Sequence, residues 1–230
     1  MDSTVTALLH RLRSGNATAP RLTWYGPGGE RVELSGRVLD NWAAKTSNLL
    51  VEELDAEPGT RFRIDLPGHW KSAVLALAGW QLGGILVDGE ADIVFSAEPD
   101  SSGGASAATQ VAVALGALDL AFPGELPPGH VDYSALVRQF ADSFEPFDPP
   151  SADDGAARLG GESFSQAELL ERFAVRPEAG ARVLVDSSLP LRDVLAALLG
   201  AWAADGSVVL RHPDVEDTPR LREAERVTAG

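Results

Sequence analysis

The chain has 230 residues, of which 44% are hydrophobic, and a formal net charge of -15 at pH 7. This composition is typical of a globular protein, and the length permits one large domain or two small ones. The excess of negative charge argues against nucleic acid as a partner, because phosphates are neutralised by clustered lysine and arginine. The lack of cysteine excludes disulfides and thiolate metal sites.

The apolar segments are too short, and too often interrupted by charge, to predict a membrane span. Residues 1–4 lack a basic region followed by an apolar stretch, so we expect no secretory leader and a cytoplasmic protein. The four histidines, at 10, 69, 130 and 212, include no pair with the i, i+4 spacing of a helical metal site. The sequence therefore predicts no metal site.

In the first half of the chain, the pattern predicts helices alternating with strands. Helices are predicted at 3–12, 39–50 and 72–82, and strands at 21–25, 31–34, 62–66, 85–87, 93–95 and 111–115. Ser3 is the expected N-cap of the first helix. Residues 72–82 are apolar on nearly all sides, which predicts a helix buried between layers. A loop of Asp, Ser and Gly is predicted at 99–107.

The second half continues the alternation after a break. Helices are predicted at 134–140, 165–173, 190–204 and 218–226, and strands at 183–185 and 207–210. Segment 144–161 is acidic and rich in Pro and Gly, which predicts a flexible linker between parts 1–143 and 162–230 of a single α/β domain. The alternation predicts mostly parallel sheets covered by helices on both faces.

Several segments, taken in order, resemble landmarks of one enzyme superfamily. They are LTWY at 22–25, PGTRFRIDLP at 58–67, the helix and strand at 70–87, RVLV through SLPL at 182–191, and the helix and strand at 195–210. Their order along the chain resembles the N-terminal region of the acyl-adenylate-forming enzymes, also described as AMP-binding or acyl-CoA synthetase-like. The resemblance implies the fold of their N-terminal subdomain.

One landmark of that superfamily is missing. Its members bind the phosphates of ATP with a loop rich in Ser, Thr and Gly that ends Pro-Lys-Gly and follows an Asp-Asp-x-Ala element. Residues 153–156 match that element, but ARLGGES at 157–163 contains neither the expected glycine-threonine run nor a lysine. Because backbone N–H groups of such a loop cradle polyphosphate, we expect no ATP cofactor and no catalytic residue. The chain also ends at Gly230, before the superfamily's later ATP-binding and C-terminal segments, so we expect a truncated form.

Candidate ligand residues follow two strands of the second half. The superfamily resemblance implies a site near 185–188 and 210–212, which makes Asp186, Ser187, Ser188 and His212 the candidates for contacting a nucleotide or acyl ligand. Strand ends are also where open α/β sheets bind ligands. His69 stands at the start of the buried helix and is expected to cap it or to face solvent.

Three interpretations of function remain open. The first is a catalytically inactive relative that acts as a binding, assembly or regulatory protein, with its uncovered surface buried in a homodimer or by another protein. The second is a protein that keeps a remnant pocket for AMP, an acyl-adenylate or an acyl ligand. The third is an unrelated small-molecule-binding α/β domain. Loss of the phosphate loop favours the first, whereas converging N–H groups of Gly160, Gly161 and Ser163 would favour the second.

Overall fold

A computed structural model of the chain describes residues 3–99, 108–117 and 119–230. The helices are α1 (Val5–Ser14), α2 (Gly36–Leu54), α3 (Trp70–Leu82), α4 (Tyr133–Leu136), α5 (Gln166–Glu168), α6 (Leu191–Ala203) and α7 (Pro219–Ala224). The strands are β1 (Pro20–Tyr25), β2 (Arg31–Ser35), β3 (Arg61–Asp65), β4 (Ile85–Val87), β5 (Ile93–Ser96), β6 (Thr109–Ala112), β7 (Val131–Asp132), β8 (Gly155–Leu159), β9 (Glu162–Ser165), β10 (Arg182–Asp186) and β11 (Ser207–Arg211).

The described strands form two mostly parallel sheets. The seven-stranded sheet has the order β7-β6-β5-β3-β4-β8-β9, and the four-stranded sheet has the order β10-β11-β1-β2. Only the hairpins β8–β9 and β1–β2, each at one edge of its sheet, pair antiparallel. The predicted α/β class with mostly parallel sheets is therefore confirmed.

Helix α3 lies between the two sheets. All of its residues are buried, and it contacts β3 and β4 of the larger sheet and β1 of the smaller one. Gly79 permits the close approach to β3, because a Cβ there would come within 2.4 Å of the Phe62 ring. The predicted helix buried between layers is confirmed, and it provides the hydrophobic contact that joins the sheets. None of the helices in the described part of the chain is long and apolar enough to cross a membrane.

Several element boundaries differ from the predicted ones. The N-cap of α1 is Thr4 rather than Ser3, because the Thr4 Oγ1 accepts a hydrogen bond from the Ala7 N–H at 3.1 Å. Strand β6 ends at Ala112 rather than at residue 115. The helix predicted at 134–140 is a single α-helical turn followed by a 3-10 turn at Val137–Gln139. The loop predicted at 99–107 lies outside the described residues except for Pro99.

The linker predicted at 144–161 requires a correction. Its second half contains β8, which pairs parallel to β4 and buries Ala156, Ala157 and Leu159 in the core. The glycines at both ends of β8 give the segment a loop-like composition, so the strand was not evident from the sequence. The chain just before this segment is bound to α2, because Asn48 Nδ2 donates to the carbonyl oxygens of Ala141 and Ser143.

A buried glutamine joins the first and second halves of the chain. Gln166 opens α5 with no exposed surface, and its Nε2 donates to the Trp80 carbonyl of α3 at 2.9 Å. Its Oε1 accepts from the Val5 N–H at the start of α1 at 3.1 Å. Ser165 and Glu168 form a capping box at the start of the same helix. The amide thus satisfies a first-turn N–H of α1 and adds a second hydrogen bond to the Trp80 carbonyl, which also accepts from the Gly83 N–H.

Candidate functional site

The hairpin turn between β8 and β9 stands where the superfamily resemblance implies a phosphate loop. It consists of Gly160 and Gly161, whose φ values of 60° and 79° place both in the left-handed region. Leu159 pairs with Glu162 directly across the turn. Two residues with positive φ form the tightest common hairpin connection, which glycine adopts without strain. The connection is therefore a minimal turn and not an extended loop.

The turn's backbone donor is bound to a carboxylate of the same chain. The Gly160 N–H donates to Asp88 Oδ2 at 2.6 Å, and Asp88 follows β4 directly. Ser163 lies in β9 opposite Arg158, beyond the turn itself. In this described turn, the arrangement of Gly160, Gly161 and Ser163 that would favour an anion site is not formed.

An apolar cavity of about 310 Å³ lies beside the turn. It opens at the carboxyl ends of β3 and β4 and at the start of α6. Its lining combines aliphatic and charged residues, namely Arg63, Ile64, Asp65, Leu86, Val87, Asp88, Leu159, Gly160, Leu191, Arg192 and Leu195. This is the edge of a parallel sheet at which α/β proteins bind ligands.

The charged groups around the cavity are paired with one another. Arg63 Nε lies 2.9 and 3.0 Å from the two carboxylate oxygens of Asp65. Arg192 donates to Glu162 Oε2 at 2.6 Å and to the Leu159 carbonyl at 3.3 Å. Both guanidinium groups thus already have anionic partners. A ligand in the cavity would therefore mainly contact the aliphatic side chains.

Asp186, Ser187 and Ser188 lie at the carboxyl end of β10, as the sequence predicts. Asp186 Oδ2 accepts from Arg211 at 2.5 Å, and its Oδ1 accepts from the Ser188 N–H and hydroxyl at 2.9 and 2.6 Å. The Ser188 bonds, together with the charge of Arg211, lower the pKa of the Asp186 carboxyl. Ser187 is buried and donates its N–H to the Arg211 carbonyl. These polar groups bind within the chain.

His212 follows β11 and lies at the same sheet edge, because β10 and β11 are parallel neighbours. Its ring contacts Trp24 edge-on, with 6.2 Å between ring centroids, and its Nδ1 accepts from the Asp214 N–H at 3.2 Å. The structure thus brings the four predicted candidates to one edge of the four-stranded sheet. None of the four lines the cavity beside Gly160.

His69 caps the buried helix and does not face solvent. Its Nδ1 accepts from the Lys71 N–H at 3.2 Å, and its ring lies 4.6 Å from that of Trp24. Burial, with smaller effects from Lys71 and His212, lowers the pKa of His69 to about 3. The ring is therefore neutral at physiological pH, and the capping role predicted from the sequence is confirmed.

Lys71 is a buried cation that the sequence did not mark as unusual. Its side chain is bound through the ammonium to the carbonyl oxygens of Ala114 and Gly116, and burial lowers its pKa to about 8. A lysine within an otherwise apolar helix was the signal that could have marked it. In the described ranges, no group of three or more His, Asp or Glu residues has the geometry of a metal site.

Asp88 and Arg192, which flank the cavity, were also missed by sequence analysis. They come from elements far apart in the chain, and nothing in the local sequence pairs them. Asp88 alone could have been selected, because it follows a buried parallel strand.

Comparison with solved structures identifies the fold. The chain superposes on an acyl-CoA synthetase from Brucella canis with a TM-score of 0.73 and 15% sequence identity, over 98% of this chain and 46% of that one. The N-terminal domain of FACL13 from Mycobacterium tuberculosis matches with a TM-score of 0.70 and 14% identity, over 100% of this chain and 62% of that one. The chain therefore spans about half the length of the synthetases that it resembles.

The architecture is thus that of the N-terminal domain of the acyl-CoA synthetases and other AMP-binding enzymes, as the order of sequence landmarks predicts. No family model matches the chain. A curated protein of Mycobacterium tuberculosis strain H37Rv, described as "TIGR03089 family protein", is 36% identical over 237 aligned positions, covering 96% of this chain and 95% of that protein. The chain belongs to that family.

Proposed function

We propose that the protein does not activate a carboxylate with ATP and acts as a binding, assembly or regulatory protein. The observation that carries this proposal is the minimal Gly160-Gly161 turn, whose Gly160 N–H is bound to Asp88. A polyphosphate cradle requires several backbone N–H groups directed at the anion. The turn is too short to supply them.

Local charge supports the same proposal. The Asp88 carboxylate occupies the donor that an anion would use, and it would repel a phosphate placed there. Arg63 and Arg192 are the cations lining the neighbouring cavity, and both are paired with carboxylates. A polyphosphate would have to displace those pairs.

Nucleotide binding and exchange test the proposal directly. Thermal unfolding is measured with and without millimolar Mg-ATP, AMP and coenzyme A, and ATP–pyrophosphate exchange is measured with a panel of carboxylic acids. A ligand at about a hundred times its dissociation constant stabilises the fold by roughly 2.7 kcal/mol. We expect no exchange and no shift of the unfolding temperature with Mg-ATP. Detection of exchange, or of such a shift, would contradict the proposal.

Binding of an acyl ligand without ATP is a second candidate function. The cavity of about 310 Å³ supports it, because its lining includes Ile64, Leu86 and Leu195. Pockets of this size with apolar walls are typical of small-molecule sites. Under this candidate, an acyl chain would occupy the cavity and its head group would lie near Arg192.

A space-filling variant distinguishes the second candidate. Leu191→Trp places a large side chain in the cavity lining, whereas Leu189→Trp adds the same bulk at a 45% exposed position that does not line the cavity. Displacement of a fluorescent fatty acid is measured for the native protein and for both variants. Selective loss of binding in Leu191→Trp supports the acyl site, and equal binding in all three proteins excludes it.

Self-association or a protein partner belongs to the same proposal. Large apolar side chains are exposed at Leu120, Phe147 and Val175, which supports a protein contact. Light scattering at high micromolar concentration measures self-association, and a monomer would argue against the homodimer.

A cytoplasmic location is likewise proposed, and fractionation of cells that produce the native protein tests it.

A further inference from the structure

A second groove, of about 380 Å³, has a lining distinct from that of the cavity beside Gly160. It runs between the carboxyl-terminal end of α2 and segment 143–148. Its apolar lining includes Val51, Ala56, Pro58, Leu82, Phe144 and Phe147. None of these residues lines the cavity beside Gly160, so the groove is separate from the region of the proposed function.

Phe147 stands at the groove with its side chain fully exposed, at 106% of its reference area. The preceding chain is bound to α2: Lys45 Nζ donates to the Phe140 carbonyl at 2.6 Å, and Asn48 Nδ2 donates to the carbonyls of Ala141 and Ser143. Phe144 packs against the core. The exposed aromatic ring therefore follows an anchored segment, which reduces the ordering cost of binding through it.

The charged residues that line the groove are all acidic. Glu57, Glu145 and Asp148 line it, and no lining residue is basic. None of these three carboxylates forms an ion pair with another described residue. Lysine or arginine on a partner would complement these charges, whereas a second copy would present the same carboxylates and carry the same net charge of -15.

We propose that this groove binds a short segment of another protein in which a large apolar anchor is flanked by lysine or arginine. The anchor enters the groove against Phe147, and the flanking cations pair with Glu57, Glu145 and Asp148. This deepens the binding role proposed above by naming the surface and the chemistry of the partner. It does not depend on whether the cavity beside Gly160 takes a ligand, because that cavity shares no residue with the groove.

Selection from a displayed library of random short peptides tests the proposal, with binding of the selected peptides measured by fluorescence anisotropy. The groove variant carries Glu57→Lys, Glu145→Lys and Asp148→Lys. The matched control carries Glu178→Lys, Glu216→Lys and Glu223→Lys, which alter net charge equally at exposed positions outside the groove. A further variant, Phe147→Ala, removes the exposed ring.

We expect peptides with a large apolar residue and flanking cations, whose affinity falls at least about tenfold in the groove variant and in Phe147→Ala. The control should stay within about threefold of the native protein, since distant charges are screened at physiological salt. The proposal is overturned if affinity falls equally in both charge variants, or if the selected peptides lack cations. It is also overturned if no selected peptide loses affinity in the groove variant. A dimer of the native protein that dissociates on Phe147→Ala would assign the groove to a second copy and overturn it as well.

Failure of this test is distinguishable from failure of the proposed function. ATP-dependent exchange would contradict the absence of adenylation and leave the groove measurement unchanged. Loss of groove binding would leave the nucleotide measurements unchanged.

Discussion

The Asp88 carboxylate accepts a hydrogen bond from the Gly160 backbone N–H at 2.6 Å, which joins the end of β4 to the turn between β8 and β9. An anionic side chain thus lies where the resemblance to adenylate-forming enzymes implies a bound phosphate. The bond also fixes the turn over the apolar cavity, to whose lining both residues belong. The same bond thus holds the hairpin turn in place and occupies the Gly160 N–H.

Removing this carboxylate should not create a nucleotide site. Asp88→Ala frees the Gly160 N–H, but a two-residue turn still lacks the converging donors that a polyphosphate needs. We expect the free energy of unfolding to fall by less than about 1 kcal/mol, because the bond is exposed to solvent. Urea denaturation with and without Mg-ATP measures both effects, and stabilisation of Asp88→Ala by Mg-ATP would show that the carboxylate alone blocks binding.

Gly161 should be sensitive to substitution for backbone reasons only. Its φ is 79°, and a Cβ added there would meet no atom within 4 Å. We therefore expect Gly161→Ala to lower the free energy of unfolding by about 1 kcal/mol through left-handed strain. Gly161→Asn should cost less, since asparagine tolerates that conformation. Equal stability of all three proteins in urea would contradict the turn geometry.

Stability should fall on mild acidification because of His69. The pKa of His69 is about 3 in the fold and 6.5 in its reference state, so the unfolded chain binds a proton that the folded chain does not. The contribution of this histidine is complete above pH 6.5 and decreases as the pH falls from 6.5 towards 3, by at most about 1.4 kcal/mol per unit.

His69→Asn isolates this effect. Asparagine keeps a side-chain acceptor at the N-cap of α3 but does not titrate. Between pH 7.5 and 5.5, we expect the native protein to lose about 1 kcal/mol more than the variant, as measured by urea denaturation at each pH. Parallel losses in both proteins would show that protonation of His69 is not the cause of the acid sensitivity.

Glu225 should be important for the attachment of the last helix. Its buried carboxylate accepts from the Tyr25 hydroxyl at 2.5 Å, from Arg31 at 2.9 Å and from Arg182. Burial alone would raise the pKa of Glu225, but the bonds from Tyr25, Arg182 and Arg31 lower it. We expect Glu225→Ala to lower the free energy of unfolding by about 2–3 kcal/mol, because the Tyr25 hydroxyl and the guanidinium groups of Arg31 and Arg182 lose a buried anionic acceptor.

The exposed residue Glu223 provides the control for this prediction. Glu223 lies in α7, two residues before Glu225, and makes no ion pair with a described residue, so Glu223→Ala should change stability by less than about 0.5 kcal/mol. Similar melting temperatures of the two variants would show that the carboxylate network around Glu225 contributes little.

Local patterns in the sequence predicted the elements that depend on nearby residues. The apolar run at 72–82 predicts buried α3, because a helix without a polar face cannot lie at the surface. Ser165 with Glu168, and Thr218 with Pro219, mark the starts of α5 and α7 through capping that spans a few residues. The order of such elements was sufficient to predict the fold class.

Strand β8 shows where local patterns fail. It is short and lies between glycines, so its composition resembles that of a linker. It is a strand because β4 supplies a parallel partner and the core buries Ala156 and Ala157. Tertiary pairing of this kind overrides local preference, since short strands depend on their neighbours for stability.

By itself, the sequence determined the alternation of helices and strands, their capping, and the lack at 157–163 of the glycine-threonine run and lysine expected of a phosphate loop, because each depends on residues close together in the chain. Only the tertiary structure decided that Asp88 binds the Gly160 N–H, that His69 is buried, and that Phe147 stands exposed beside an acidic groove. These features arise where distant segments meet, and there burial and charge are set by neighbours in space.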